Sequence, residues 1–313
     1  MAYSHSLSAH LIVIQERRHN VRLRFGRFDD INNLIDVVCG YFNEIEQEKY
    51  KKFVVLMKTV SVGNIINNGS SLSGILRSGQ YGYQSNIVDA ESGDLSYVKK
   101  KTDADMIPFY WRFFVPNHSY KGILLTQSVG PSGILELIRK IVVERFSSDY
   151  PDYKIVINPL APEDAVKKLL KSGDVARLAF IKHTIPSDHA DRLQLGSGER
   201  DGVMEVSFKP KDKTIFHKFA RLTEYLNGDR SIGSVFEFEG FEYDDIKAEI
   251  QINGRKRVVS LSEPRKFKVR IDVDEEEELT KGQDGFPTFN SLNNISERII
   301  NDLSVEMGIS INE

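Results

Sequence analysis

The chain has 313 residues and one cysteine, Cys39, which excludes an internal disulfide and a zinc site built on several thiolates. It has no apolar run near the roughly 20 residues needed to cross a bilayer. The longest, from Ile107 to Val115, is broken by Pro108 and Arg112. Its first residues, Met1-Ala-Tyr-Ser-His-Ser-Leu7, lack a basic stretch followed by an apolar one. No secretory leader is therefore expected, and the expectation is a cytoplasmic protein without a membrane partner. An excess of one charge is lacking as well: 42 Lys and Arg stand against 45 Asp and Glu, for a formal net charge of −3. Whole-chain charge thus neither requires nor excludes a polyanionic partner. Also missing are an internal repeat, a Gly-x-Ser-x-Gly elbow, a dinucleotide Gly-x-Gly-x-x-Gly and a His-Glu-x-x-His pair, so no cofactor is expected and a non-enzymatic role is favoured.

What remains is an ordinary globular composition, 40% hydrophobic and 28% charged, in a chain long enough for two domains. Leu7 to Gln15 reads as a strand and Val21-Arg-Leu-Arg-Phe25 as its hairpin partner, with Arg22 and Arg24 on the face opposite Val21, Leu23 and Phe25. Asp29 or Asp30 is placed to cap a helix with the stripe Ile31, Leu34, Ile35, Val38, Phe42 and Ile45, and Cys39 flanks that stripe as a small core residue. A strand is expected over Phe53 to Met57, and more near 73–78, 81–89 and 94–100; Phe109 to Val115 reads as a doubly covered strand. Strand 122–128, helix 132–147, strand 153–158, helix 163–171 and strand 174–184 then alternate. Beyond a polar stretch come strand 203–208, a helix carrying Ile215 to Leu226, a hairpin turning at Asn253-Gly254, and a final helix with the stripe Leu292, Ile295, Ile299, Leu303 and Met307. The fold expected is α+β, mainly antiparallel sheet with a βαβαβ segment at about 122–185 and a smaller C-terminal α+β domain. The boundaries expected are an N-terminal domain at 1–187, a linker at 188–202 and a C-terminal domain at 203–313.

Four groups of residues are candidates for a site. Strand 122–128 enters the helix through Gly130-Pro131-Ser132-Gly133, and the backbone N–H groups about Ser132, Gly133 and Ile134 form a candidate anion site at a helix start. No lysine follows in the Walker A position, so an architectural turn is the simpler reading. Metal candidates are Asp272 and Asp274, on one face of a strand, and His183 and His189 near a polar loop. A solvated charged strand end or loop has the same composition. Arg177 and His183 match the Arg-x5-His spacing of HEPN ribonucleases, but that motif needs a helix and Val175 to Ile181 reads as a strand. Finally, Arg17, Arg18, Arg22 and Arg24 crowd the first hairpin, and Arg255, Lys256 and Arg257 crowd a second at its tip. Basic hairpins track phosphates, although edge strands also carry such residues to discourage aggregation. Two in one chain lead to the reading of a nucleic-acid-binding or scaffold module, an accessory protein contacting DNA or RNA together with a protein partner or a second copy of itself. The alternatives are a divergent metal-dependent nuclease or phosphate-handling enzyme, and a structural subunit of an assembly.

Overall fold

Alternation in the strands decides how the first part of the chain is layered. In the computed structural model, which describes residues 4–160, 174–183, 203–209, 243–252, 255–261, 270–274 and 276–310, β8 (Ile107–Phe114) is buried on both faces. Trp111 points one way and stacks on Phe42, ring centroids 4.0 Å apart. Its neighbours Tyr110 and Arg112 point the other way and bond to Ser296 Oγ at 2.8 and 3.1 Å. Phe42 lies on α1 (Leu34–Gln47) and Ser296 on the helix Phe289–Met307, so β8 is a central strand with helices on either side.

Around β8 lies a sheet in the order β11 (Tyr153–Leu160), β1 (His5–Glu16), β9 (Gly122–Val129), β8, β5 (Ser71–Gln80), β4 (Lys58–Asn67) and β3 (Lys51–Phe53). The pairs β1·β9, β9·β8, β8·β5, β5·β4 and β4·β3 are antiparallel. Short strands β2 (Arg22–Leu23) and β16 (Ile271–Asp272) both add to β1, and β10 (Ser132–Gly133) adds to β9. One face is covered by α1 and by a helical segment made of α2 (Leu135–Ile138), a π-helical stretch (Arg139–Glu144) and α3 (Arg145–Asp149). Leu34, Ile35, Val38, Phe42 and Ile45 of α1 are all buried there, and Cys39 packs at the edge of the stripe. The last helix, α4 (Phe289–Met307), buries Leu292, Ile295, Ile299, Ile300 and Leu303. Thr288 caps its N-terminus and Gly308, at φ 64°, ends it in a left-handed conformation.

A two-stranded arm, β6 (Ser85–Val88) with β7 (Leu95–Lys99), leaves the far end of β5. Its turn is ordered by Asp89, whose Oδ1 accepts from Glu91 N and Ser92 N at 2.9 and 2.8 Å. Its base is held by Lys99, buried beneath the ring of Tyr83 at 4.0 Å and donating to Gln80 O. Val88, Leu95 and Tyr97 remain exposed along the arm.

A second sheet has the order β13 (Met204–Phe208), β12 (Asp174–Lys182), β14 (Asp245–Ile252) and β15 (Arg255–Ser260), every pair antiparallel. Contacts divide the chain into one unit of 1–158 with 270–313 and another of 159–269. This division differs from the expected boundary near 187. The partners of β12 all come from beyond residue 203, and β16 returns to pair with β1.

The α+β class with a dominant antiparallel sheet holds, and several local expectations are corrected. β9 and β11, with the helical segment between them in the chain, lie in one sheet, but β1 lies between the two strands, and β12 joins the other sheet. They do not extend as one βαβαβ layer. The expected strand at Phe53 to Met57 is instead the end of β3, a 3-10 turn (Val54–Leu56) and Met57 at φ 51°. The expected cap Asp29 closes its own turn, accepting from Ile31 N and Asn32 N, and α1 begins only at Leu34 with Ile31 exposed. The expected helices at 163–171 and 215–226 lie outside the described residues.

Candidate nucleic-acid interface

The first hairpin forms at the expected place, but its second strand is only Arg22–Leu23 rather than Val21 to Phe25. Val21 is exposed, so only Leu23 and Phe25 of the expected apolar face reach the core. Ile14 pairs with Leu23 and Gln15 with Arg22. Ile14 and Phe25 are fully buried, which leaves Arg22 and Arg24 on the outward face. The turn closes through Glu16 N to Val21 O and Asn20 N to Glu16 O, both 2.9 Å, with Asn20 at φ 55°. Arg17 is anchored to the segment leading into β11: its N–H donates to Asp152 O at 2.8 Å and its Nε to Pro151 O at 3.0 Å. Lys154 Nζ reaches Asn20 Oδ1 at 2.5 Å, which adds another cation beside the turn.

Arg24 is placed by a different device. Phe25 N donates to Ser119 O at 3.1 Å and Gly26 N to Asn117 O at 2.8 Å, laying the chain after β2 against the loop between β8 and β9. A Cβ on Gly26 would stand 2.8 Å from Asn117 Cβ, so this close approach requires glycine. The result brings Arg24 to Tyr120, its Nε donating to the phenol oxygen at 3.1 Å and its guanidinium 5.5 Å from the ring centre. Tyr120 and Lys121 line a pocket of about 310 Å³ whose opposite wall is the end of α4 and residues 308–310.

Five arginines lie close together in this part of the chain, whereas cations elsewhere are mixed. Arg145 forks onto Glu44 at 2.5 and 2.8 Å, Lys140 meets Glu144 at 3.0 Å and Arg298 meets Glu276 at 2.5 Å, while Lys58, Arg77 and Lys121 have no carboxylate partner among the described residues. Arg17, Arg18, Arg22, Arg24 and Arg27 are all exposed, and none pairs with a carboxylate among the described residues. Apart from the Nε groups of Arg17 and Arg24, which donate to Pro151 O and to the Tyr120 hydroxyl, their guanidinium N–H groups are left for an external acceptor.

The other basic stretch belongs to the second unit. Arg255, Lys256 and Arg257 were expected at a hairpin tip, with the return strand starting at Val258. They are instead the first three residues of β15, opposite Ile252, Gln251 and Ile250. The turn residues 253–254 lie outside the described residues.

At the glycine turn, Gly130 has φ 53°, and Ser132 and Gly133 fold back onto Val129 and Ser128. Helix α2 begins at Leu135 rather than at 132, and its preceding residue Ile134 is buried in the core with no side-chain cap. Arg270 Nη1 donates to Gly130 O at 2.9 Å. Every one of these contacts serves the turn itself.

Asp272 and Asp274 are near each other, but their oxygens are engaged by protein donors. Asp272 Oδ1 accepts from Asp274 N at 3.0 Å, and Asp274 accepts from His5 N at 2.6 Å and from Lys281 at 3.0 Å. Burial raises the pKa of Asp274, but the His5 N–H and the Lys281 ammonium outweigh it and hold the carboxyl below its ordinary value. His183 is exposed, and its N–H donates to Asp244 at 2.7 Å. His189 lies outside the described residues, among which no group of three or more His, Cys, Asp or Glu is placed to hold a metal. Arg177 sits on a strand, as the alternation indicated, and pairs with Glu205.

Sequence reasoning identified the arginines and missed Tyr120 and Lys121. Pro116-Asn117-His118-Ser119 marks a turn between two apolar strands, but no local signal reports that Arg24 will meet a tyrosine 96 residues later. No protein-family model matches the chain, and no curated protein matches it in sequence.

Proposed function

We propose that this protein is a non-enzymatic nucleic-acid-binding module that grips the sugar–phosphate backbone with the β1–β2 hairpin and acts alongside partner proteins. The observation that carries the reading is the clustering on one hairpin of exposed arginines at 17, 18, 22 and 24, without carboxylate partners among the described residues. Phosphate oxygens accept from guanidinium forks bidentately, and each phosphate neutralised releases condensed counterions. A strand pair is a rigid mount for such groups, and β2 is tied to β1, a twelve-residue strand that lies next to the edge strand β11. Tyr120 adds an aromatic surface beside Arg24, a combination suited to a nucleotide chain whose bases are accessible. The arm's exposed Val88, Leu95 and Tyr97 support the partner-protein half of the reading, because a two-stranded arm with apolar residues in solvent is marginal by itself.

Reversal of charge tests this. Arg17→Glu, Arg18→Glu and Arg22→Glu together abolish binding of a fluorescein-labelled oligonucleotide at low salt, read by anisotropy, while the circular dichroism spectrum stays that of the wild type. Unchanged binding in the triple variant, or no binding by the wild type at low salt, contradicts the reading.

A further inference from the structure

The pocket beside Arg24 carries the reading one step further. It lies between the loop at 116–121 and the C-terminal end of α4. Its volume, about 310 Å³, is at the small end of the roughly 300–1,000 Å³ typical of ligand pockets. Pro116, Met307 and Ile309 give it apolar walls, and Tyr120 and Lys121 stand on the side nearest Arg24. Tyr120 is 45% exposed with the Arg24 guanidinium 5.5 Å from its ring centre, so a stacking partner would take the part of the ring that Arg24 leaves open. Two different ends of the pocket have opposite polarity. The Lys121 and Arg24 side is cationic, whereas the last turn of α4 carries the negative end of a helix dipole, with Ser304 O and Val305 O capped by the N–H groups of Gly308 and Ile309. Phosphate is favoured at the first and disfavoured at the second. The second suits the exocyclic amine and ring N–H donors of a nucleobase.

From this arrangement we infer that the pocket takes one unpaired nucleobase, stacked against Tyr120, with its flanking phosphates on Lys121, Arg24 and Arg22. The inference rests on the hairpin reading and narrows its ligand to single-stranded nucleic acid. In a duplex each base face is already covered by its neighbours and cannot enter. An aromatic stacking platform serves RNA and DNA alike, since every base has a π-face.

The test uses the full chain and oligonucleotides of one sequence, single-stranded and duplex, as RNA and as DNA, each carrying 2-aminopurine at a central position. The wild type binds the single strands more tightly than the duplexes at equal salt, and 2-aminopurine fluorescence is quenched on binding. Tyr120→Ala weakens single-strand binding by about 5- to 150-fold, the range of one lost base–aromatic stack, and abolishes the quench. Tyr120→Phe, which keeps the ring and loses only the hydroxyl that accepts from Arg24, retains the quench. Equal, salt-sensitive binding of single strand and duplex without a quench overturns the pocket inference and leaves the hairpin reading standing. Absence of binding to either form by the wild type overturns the hairpin reading itself.

Discussion

Replacing Gly74 with alanine is a sharp test of the core that holds the binding loop. Gly74 on β5 lies opposite Trp111 on β8, and a Cβ there would stand 2.6 Å from Trp111 Cζ2 and 3.0 Å from Cε2. The indole cannot retreat. It is fully buried, stacked on Phe42 with an interplanar angle of 15°, and flanked edge-on by Phe113 at 5.8 Å. Inserting one methyl into such a site costs about 1–3 kcal/mol through displaced side chains and backbone. Trp111→Phe removes the ring atoms that the methyl would strike, at its own cost of about 1–2 kcal/mol for the void left behind. In that background Gly74→Ala should therefore cost at least about 1 kcal/mol less than in the wild type, a coupling expected of groups in contact. Trp111 is the one tryptophan in the chain, so its fluorescence during urea unfolding reports this core, and far-UV circular dichroism serves for the Trp111→Phe proteins. A Gly74→Ala change within about 0.5 kcal/mol of wild type, the usual scatter of innocuous substitutions, refutes the clamped geometry. So does an equal cost in both backgrounds.

Two further outcomes follow from the opposite face of the sheet. Arg112 donates through Nε to Ser71 Oγ at 2.8 Å and through Nη1 to Asn293 O and Ser296 Oγ at 3.1 Å; Arg112→Ala removes these three bonds, leaving Asn293 O and Ser296 Oγ with their bonds to Ser296 and Tyr110, and should lower stability by about 1–3 kcal/mol in the same urea assay. His5 is almost fully buried against Phe286, and burial, only partly opposed by the Asp274 carboxylate, lowers its pKa below the ordinary 6.5. The unfolded chain therefore binds this proton more readily, so the contribution of neutral His5 is complete above pH 6.5 and is lost as pH falls from there through the folded-state value. His5→Gln should flatten the stability change between pH 7 and pH 5, and an unchanged slope in thermal melts across that range contradicts the assignment.

The sequence disclosed those features whose cause is local. Val21 to Phe25 alternates because Leu23 packs against the core and Phe25 enters it, although Val21 itself stays exposed, and α4 shows its stripe because Leu292, Ile295, Ile299 and Leu303 line one side of it. The arginines of the first hairpin were legible for the same reason. Features caused by distant partners were not. The strand Lys58–Asn67 escaped notice because its alternation, Val60 and Val62 inward, is short and is broken at Gly63–Asn64, where the pairing with β5 shifts register. Residues 271–272 return to β1 and so draw the C-terminal segment into the first unit, which no spacing along the chain announces. Helix α2 starts three residues later than expected because Ser132 and Gly133 are spent on pairing with β9. The Arg24–Tyr120 contact depends on the chain after β2 lying along the loop at 117–119, and its two members carry no mark of one another.

The salt dependence of binding addresses the central claim most directly. Single-stranded binding constants fall with salt by a slope of about 0.7 per phosphate neutralised. Replacing Arg17, Arg18, Arg22 and Arg24 with glutamine removes four such contacts from the exposed hairpin, and should make the plot of log Kobs against log salt shallower by about 2.8. A slope in the fourfold variant equal to that of the wild type would contradict the account, because the hairpin arginines would then touch no phosphate.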